Sequence, residues 1–406
     1  MKEGYIKQKD RKKILLITDD IRVHSGVAQI GREMVLHTSH RYNWVQLAGA
    51  VKHPDKGKRV DLSQDNDKLA GIEDSSVILY PTDGYGNPDV LRGVIETEKP
   101  DAIFLITDPR YFTWIFQIEN QIRKNIPIVY LNIWDSMPTP MYNREFYESC
   151  DALFGISKQT KAINEIVLGD KVKNKIIKYV PHGLNEKMFF PLDEKDEELT
   201  QFKKYISRGK ECDFMLLFNS RNIRRKSISD TILAWKLFLD ELPQEKRDKC
   251  TFVLHTDPVS DHGTDLGAVI EYFFPEGDGN VVISNDKLPT EKMNYLYNSA
   301  DGVILILSLV GSPQTPYIYD DRCSFEDASN RIMELYKMGD KERKARGKKG
   351  MEWALSDEAG FTSQKMSNRI IEGLDELFDT WKPREKFEFL KDTDYEPRVL
   401  KHKIIY

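Results

Sequence analysis

Cysteine is scarce: Cys150, Cys212, Cys250 and Cys323 are the only four in 406 residues, widely spaced and without a CxxC pair. That rules out a disulfide scaffold and leaves reduced thiols as the default. Long apolar runs are missing too. The longest, such as Ile14 to Ile17 and Val303 to Leu307, fall far short of the roughly 20 residues that cross a bilayer. The amino-terminal stretch MKEGYIKQKDRKK has no apolar signal core, so the chain is expected to be cytoplasmic. Excess positive charge is also lacking: 60 Lys and Arg face 65 Asp and Glu, for a net charge of −5. Nucleic acid or an anionic membrane would have to be met by a local patch. There is no GxxxxGK[ST] loop, GxGxxG turn, HExxH or GxSxG elbow, and no His pair at ligand spacing near a Cys. P-loop, classical dehydrogenase, zincin and α/β-hydrolase chemistry lose their support, and neither a metal nor a prosthetic group is expected.

What is present is an alternation of short β-branched runs with helical stretches, and a 40% hydrophobic content able to fill real cores. KKILLIT (12 to 18), SVILY (76 to 80), AIFLIT (102 to 107), IPIVYLNI (126 to 133), ALFGIS (152 to 157) and IIKYV (176 to 180) are continuous apolar strands. Helices are expected between them at 27 to 38, 89 to 98, 111 to 124 and 158 to 168. Apolar strands separated by helices predict a parallel α/β sheet. The pattern repeats with strands at 214 to 220, 251 to 257, 280 to 284 and 302 to 308 and helices at 228 to 242 and 290 to 299. Ser324 to Asp327 fits a capping box that opens a further helix at 328 to 338. The expected division is a Rossmann-like domain at 1–190, a linker at 191–212 that includes the acidic DEKDEEL and a helix-like QFKKYISRGK, a second Rossmann-like domain at 213–380, and a strap or tail at 381–406. Ligands are expected in a cleft between the carboxyl ends of two facing parallel sheets.

Several constellations carry chemistry. After the first strand, Asp19 and Asp20 lead into a turn ending in Gly26 and a helix starting at Val27. This segment fits either a turn whose N–H groups meet a phosphate or a plain turn with Ser25 as N-cap. FNSRNIRRKSISD puts Arg221 directly after a strand and Lys226 five residues later, before a helix. A guanidinium fork and a point charge at a helix start suit a diphosphate; the alternative is a solvated basic loop. Trp134 and Asp135 follow the strand IPIVYLNI, where an indole face and a carboxylate suit a sugar, or where Asp135 caps the turn before Pro138. Asp108 has the same position after the preceding strand. Tyr317, Tyr319, Asp320, Asp321 and Arg322 form a polar-aromatic loop that either closes over ligand or makes a surface turn. The basic run 341 to 349 is a solvated helix end on its simplest reading.

These residues resemble the group 1 (family 4) glycosyltransferases of the GT-B fold. Arg221 and Lys226 look like that family's pair on the donor pyrophosphate, and Val180-Pro-His182-Gly183 through Phe189 and Pro191 looks like its interdomain signature. Gly26 matches its glycine loop, and YLYNSADGVILILS, with Asp301, is similar to the helix and strand before its donor site. NIWDSMPTPMYN and SPQTPYIYDDR look like a branch often seen in phage genomes. The resemblance implies retaining transfer of a sugar from a nucleotide-diphosphate sugar, the co-substrate, to an acceptor hydroxyl. Arg221, Lys226 and Asp135 are then the catalytic candidates; Gly26, Val27, Arg221, Lys226 and Asp301 the donor side; and Asp108, Trp134, His182 and Tyr317 the acceptor side or cleft. One departure is large. The family's acidic Glu-x7-Glu segment is missing after Ser308, so the second domain looks shortened. Two alternatives therefore stand beside the enzyme: a degenerate GT-B protein that binds without turnover, and a phage transferase acting on a modified DNA base. The acceptor is a glycan, a small molecule or DNA, and the oligomeric state is open.

Overall fold

A computed structural model describes residues 4–50, 54–305 and 323–384. The chain divides into two compact units. The first holds the chain up to Trp134, Met141–Val180 and the residues from Arg369 onward; the second holds Asp135–Pro140 and Pro181–Asn368.

The first unit is built on β1 (Lys12–Asp19), β2 (Tyr42–Gly49), β3 (Val60–Asp61), β4 (Val77–Pro81), β5 (Ala102–Ile106), β6 (Ile128–Asn132), β7 (Ala152–Gly155) and β8 (Ile176–Tyr179). Their order is β3-β4-β2-β1-β5-β6-β7-β8, and every pairing is parallel except that of β3 with β4. Ile14, Leu15, Leu16 and Ile17 are fully buried, as are Phe104, Leu105, Leu131 and Leu153, which is what covering both faces of a parallel sheet requires. The second unit carries β9 (Phe214–Asn219), β10 (Cys250–His255), β11 (Val281–Ser284) and β12 (Gly302–Val303), all parallel, in the order β11-β10-β9-β12. Each unit is a Rossmann-like α/β layer structure, and the second sheet has four strands among the described residues.

Helices of eight or more residues are α1 (Gly26–Thr38), α2 (Ser63–Ala70), α3 (Pro88–Glu98), α4 (Lys158–Leu168), α5 (Glu197–Ile206), α6 (Ile228–Asp240), α7 (Leu266–Phe273), α8 (Thr290–Ser299), α9 (Phe325–Lys337), α10 (Gly339–Leu355) and α11 (Ser363–Thr380). The expected helix at 111 to 124 is broken into a 3-10 turn, Pro109–Phe112, and two short α-helical segments, Thr113–Gln117 and Glu119–Ile122. At the start of α9, Ser324 Oγ accepts from Asp327 N at 3.2 Å and donates to Glu326 at 2.6 Å, which confirms the cap and shows how Glu326 is engaged.

Two expectations about organisation change. The stretch 191–212 is not a free linker, because α5 turns Leu199, Phe202 and Ile206 into a core with Met215, Leu217, Val253 and Leu296. The chain does not stay in the second unit to residue 380. From Arg369 α11 belongs to the first unit, where Asp375 accepts from Tyr42 Oη at 2.7 Å and pairs with Arg41 at 2.6 Å. Gly373 is needed there, since a Cβ would lie 2.4 Å from the Phe154 ring. Of the expected strap only Trp381 to Arg384 is described; Arg384 donates to Glu119 at 3.1 Å and Asn120 at 2.8 Å, and 385–406 lie outside the described residues. The basic run 341 to 349 lies on α10, where Lys344 pairs with Asp340 and Glu194, Arg346 with Glu342 and Lys348 with Glu352. Among the described residues no helix is long and apolar enough to cross a membrane.

Asp301 needs a separate correction. Its carboxylate accepts from Met215 N at 2.8 Å and pairs with the nearly buried Arg343 at 2.9 Å, whose guanidinium lies 5.3 Å from the Phe214 ring centre. It therefore sits at the amino end of β9, opposite Arg221, and its partners are structural. Removing one member of such a pair strands the other's charge. Asp301→Ala should lower the second unit's unfolding free energy by about 3–5 kcal/mol in urea titrations, with pyrophosphate affinity unchanged.

Candidate functional site

In an open parallel sheet the crevice for ligand lies outside the carboxyl ends of the strands, where the strand order reverses direction. In the second unit that point falls between β9 and β12, since β10 and β11 build out on one side of β9 and β12 on the other. Arg221 to Lys226 follow β9 at this place.

The loop is held by one buried residue. Asn222, 3% exposed, donates Nδ2 to the carbonyls of Asp257 at 3.1 Å and Thr264 at 2.7 Å, and its Oδ1 accepts from Thr264 N at 3.1 Å. Arg224 N donates to His262 O at 2.8 Å, so residues 257 to 265 brace residues 221 to 227. Gly263 makes the approach possible: a Cβ there would stand 2.1 Å from Asn222 Oδ1 and 2.5 Å from its carbonyl oxygen. The loop closes in a 3-10 turn, Arg224–Lys226, and then Ser227 in the left-handed region at φ 42° before α6 begins. Such a conformation is costly for a residue with a Cβ and tends to mark functional turns.

With the backbone fixed, the side chains of Arg221, Arg224, Arg225 and Lys226 make no hydrogen bond or ion pair among the described residues. Lys226 is half-buried, and burial, then the neighbouring Arg225, pull its pKa below the usual lysine value. Four cations thus crowd the start of a 13-residue helix, where the helix dipole also favours negative charge. At the same edge, the end of β9 is fixed by Asn219 Nδ2 donating to Tyr297 Oη at 2.7 Å, and the end of β10 by His255 Nδ1 within 3.0 Å of Ser284 Oγ. The Thr256 hydroxyl is buried there without a partner among the described residues.

The first unit has its own reversal point, between β1 and β5. Asp19, at the end of β1, accepts from Ser25 Oγ and from Tyr85 Oη, both at 2.6 Å, while Asp20 forks onto Arg22. Gln46 completes the brace by donating to Asp19 O at 2.7 Å and accepting from Ile21 N at 3.3 Å. Ser25 Oγ accepts from Ala28 N at 3.0 Å, so it caps α1, and Gly26 faces open space with nothing within 4 Å of where a Cβ would be. The cap and the exposed turn coexist, leaving the Gly26 and Val27 N–H groups at the tip.

The other candidates separate. Asp108 is occupied: it caps the Pro109 turn and holds Arg110, with Nε at 2.9 Å and Nη2 at 2.5 Å. Trp134 is only 8% exposed, with Arg110 at 5.8 Å from its ring and Tyr142 edge-on, so it offers no open face for stacking as expected from the sequence. Asp135 is exposed just beyond it. His182 is largely buried, its Nε2 has no partner among the described residues, and burial lowers its pKa to about 4, so the imidazole is neutral at pH 7. Tyr317 and the loop to Arg322 lie outside the described residues. Among the described residues no three His, Cys, Asp or Glu side chains are placed to hold a metal ion. Asn222, Gly263 and Tyr85 were not legible in advance, because each acts on a loop distant in sequence.

No protein-family model matches the chain, and no curated protein matches it. Solved structures do. A glycosyltransferase from Rickettsia africae superimposes with a TM-score of 0.61 at 13% identity, covering 92% of this chain and 100% of that one. The N-terminal domain of Candida albicans trehalose-6-phosphate phosphatase gives 0.59 at 13% over 92% and 99%. A UDP-forming α,α-trehalose-phosphate synthase from Burkholderia vietnamiensis gives 0.57 at 11% over 90% and 100%. At these identities the likeness establishes the fold, which is GT-B.

Two outcomes follow from the loop geometry. Burial and the neighbouring Arg225 make Lys226 lose its proton at lower pH than an exposed lysine, so inorganic pyrophosphate affinity measured by calorimetry should fall with rising pH before the ordinary lysine pKa is reached, and Lys226→Arg should flatten the fall. Gly263→Ala should weaken pyrophosphate on the order of tenfold to a hundredfold by displacing Asn222, with the rest of the fold retained.

Proposed function

We propose that the protein is a glycosyltransferase that moves a hexose or pentose from a nucleotide-diphosphate sugar to an acceptor hydroxyl, with retention of anomeric configuration. The observation that carries this reading is the loop of cations, Arg221 to Lys226, without side-chain partners among the described residues and braced by Asn222 at the reversal point of the second sheet. As the glycosidic bond breaks, negative charge grows on the leaving diphosphate. Arg221 can fork onto two of its oxygens, Lys226 adds a point charge, and the start of α6 adds its dipole. The resemblance to family 4 enzymes implies that a donor phosphate oxygen takes the acceptor proton, so Asp135 serves to position the acceptor. UDP is the first base to test, given the UDP-forming synthase among the structures of like fold.

A second reading, binding without turnover, is favoured by the lack of Glu-x7-Glu between Ser308 and Cys323. A phage setting and a DNA-base acceptor rest on resemblance alone, and the internal pairing along α10 removes part of the basic surface that DNA would need.

Calorimetry with UDP, GDP, ADP and their sugar conjugates tests the reading, followed by turnover of radiolabelled donor. Arg221→Ala should cost about 2–4 kcal/mol of donor affinity. Unchanged affinity in that variant would remove the diphosphate assignment, and tight binding with no transfer to any acceptor would favour the second reading.

A further inference from the structure

The amino edge of the second sheet, at the opposite end of its strands from the donor loop, holds a cavity of about 250 Å3 that the proposed transfer does not use. Its walls are the amino ends of β10 and β11, the turn after α5 and the carboxyl end of α7. Thr251 lines it at 1% exposure, and the hydroxyl has no hydrogen-bond partner of normal geometry among the described residues, although the weakly polar Cys212 thiol is near. Leaving such a group unpaired costs about 1–3 kcal/mol, so a ligand atom that pairs with it recovers part of that cost. Ile270, Phe274 and Val281 supply an apolar wall, and the Phe274 ring lies against Gly279, where a Cβ would stand 2.4 Å from it. The charged residues that line the cavity are both cations, Arg208 and Lys210, and no carboxylate joins them among the described residues. Lys210 donates to Asn280 Oδ1, whereas the Arg208 guanidinium has no hydrogen bond or ion pair among the described residues. Neither cation is needed to cap α5. Three of its last four carbonyls, those of Lys203, Lys204 and Tyr205, already accept from Ser207 N, Gly209 N and Arg208 N at 3.0, 2.8 and 3.0 Å.

We infer that this cavity is a second binding site, separate from the donor loop, for a small hydroxylated organic anion. A carboxylate or phosphate head meets Arg208 and Lys210, a short aliphatic body packs on Ile270, Phe274 and Val281, and the ligand hydroxyl pairs with Thr251. The lining selects each part. Two cations without a carboxylate favour an anion, and the guanidinium fork matches the oxygens of a carboxylate or phosphate. The volume lies at the small end of ligand pockets, which run from roughly 300 to 1,000 Å3, and suits a body of a few carbons rather than a nucleotide. The buried hydroxyl then discriminates among anions, because a ligand without a hydrogen-bonding group of its own leaves Thr251 unpaired. The inference does not depend on the transferase reading.

Saturation-transfer NMR titrations on the full chain test this, with 1-butanol, butyrate, 4-hydroxybutyrate, butyl phosphate and 4-hydroxybutyl phosphate as probes and pyrophosphate calorimetry run on every variant. The anions are expected to bind and butanol not to, and the better of the two head groups distinguishes a carboxylate ligand from a phosphate one. Each hydroxylated anion should bind about threefold to tenfold more tightly than its parent, and Thr251→Val should erase that preference. Arg208→Asn should weaken every anion about tenfold or more. Asparagine suits the position because Arg208 holds φ at 54°, in the left-handed region that asparagine tolerates. Pyrophosphate affinity should be unchanged in both variants, and Arg221→Ala should leave the probe signals intact. The inference is overturned if no anion binds, if butanol binds as well as the anions, if Arg208→Asn has no effect, if the hydroxyl preference is absent or survives Thr251→Val, or if Arg221→Ala abolishes the probe signals. Absence of pyrophosphate binding beside an Arg208-dependent anion signal would sink the donor-loop assignment and leave this site standing.

Discussion

A parallel sheet must return each strand by a crossover over one of its faces, and where successive crossovers leave in opposite directions the loops part and open a crevice. Both sheets of this protein depend on that constraint. After β1 the chain builds outward through β2 and β4, then returns to lay β5 on the other side; after β9 it builds through β10 and β11, then returns for β12. The two loops that open on these points, at Ser25–Gly26 and at Arg221–Lys226, are the ones that carry exposed donors and cations.

Opening a loop exposes its backbone, and each unit stabilises that backbone with a buried polar side chain. Asp19 and Gln46 hold the first loop, and Asn222 holds the second. All of these have satisfied partners, as a low-dielectric environment demands. The cations of the second loop are treated in the opposite way: their backbone is fixed while their side chains have no hydrogen-bond or ion-pair partner among the described residues. Partial burial first, and then the repulsion of Arg225, depress the pKa of Lys226. On the proposed reading, an incoming anion would relieve the repulsion on a loop whose backbone is already ordered.

Much of the layer structure was legible in the sequence. Continuous apolar runs such as Ile14 to Ile17 mark strands covered on both faces, and α4 and α8 begin and end where the sequence pattern places them. The central strand β2 was not legible. Asn43, Gln46 and Gly49 interrupt its apolar run, and Gln46 is buried only because the turn after β1 needs its amide. The helix inside the expected linker was legible in part: QFKKYISRGK reads as helical, while the acidic residues before it hid the first turn from Glu197, although Leu199, Phe202 and Ile206 share one face.

At the site, the sequence by itself determined residue types and intervals: two cations five positions apart after a strand, a glycine at the first turn, aromatic residues near strand ends. These are local properties and survive in any fold that keeps the strand-to-helix turns. Only the tertiary structure decided which of them are free to act. It engaged Asp301 with Arg343 and Asp108 with Arg110, enclosed Trp134, and left the loop cations open. Availability of a side chain depends on partners distant in sequence, such as Gly263 against Asn222, and that pairing is fixed by packing rather than by spacing along the chain.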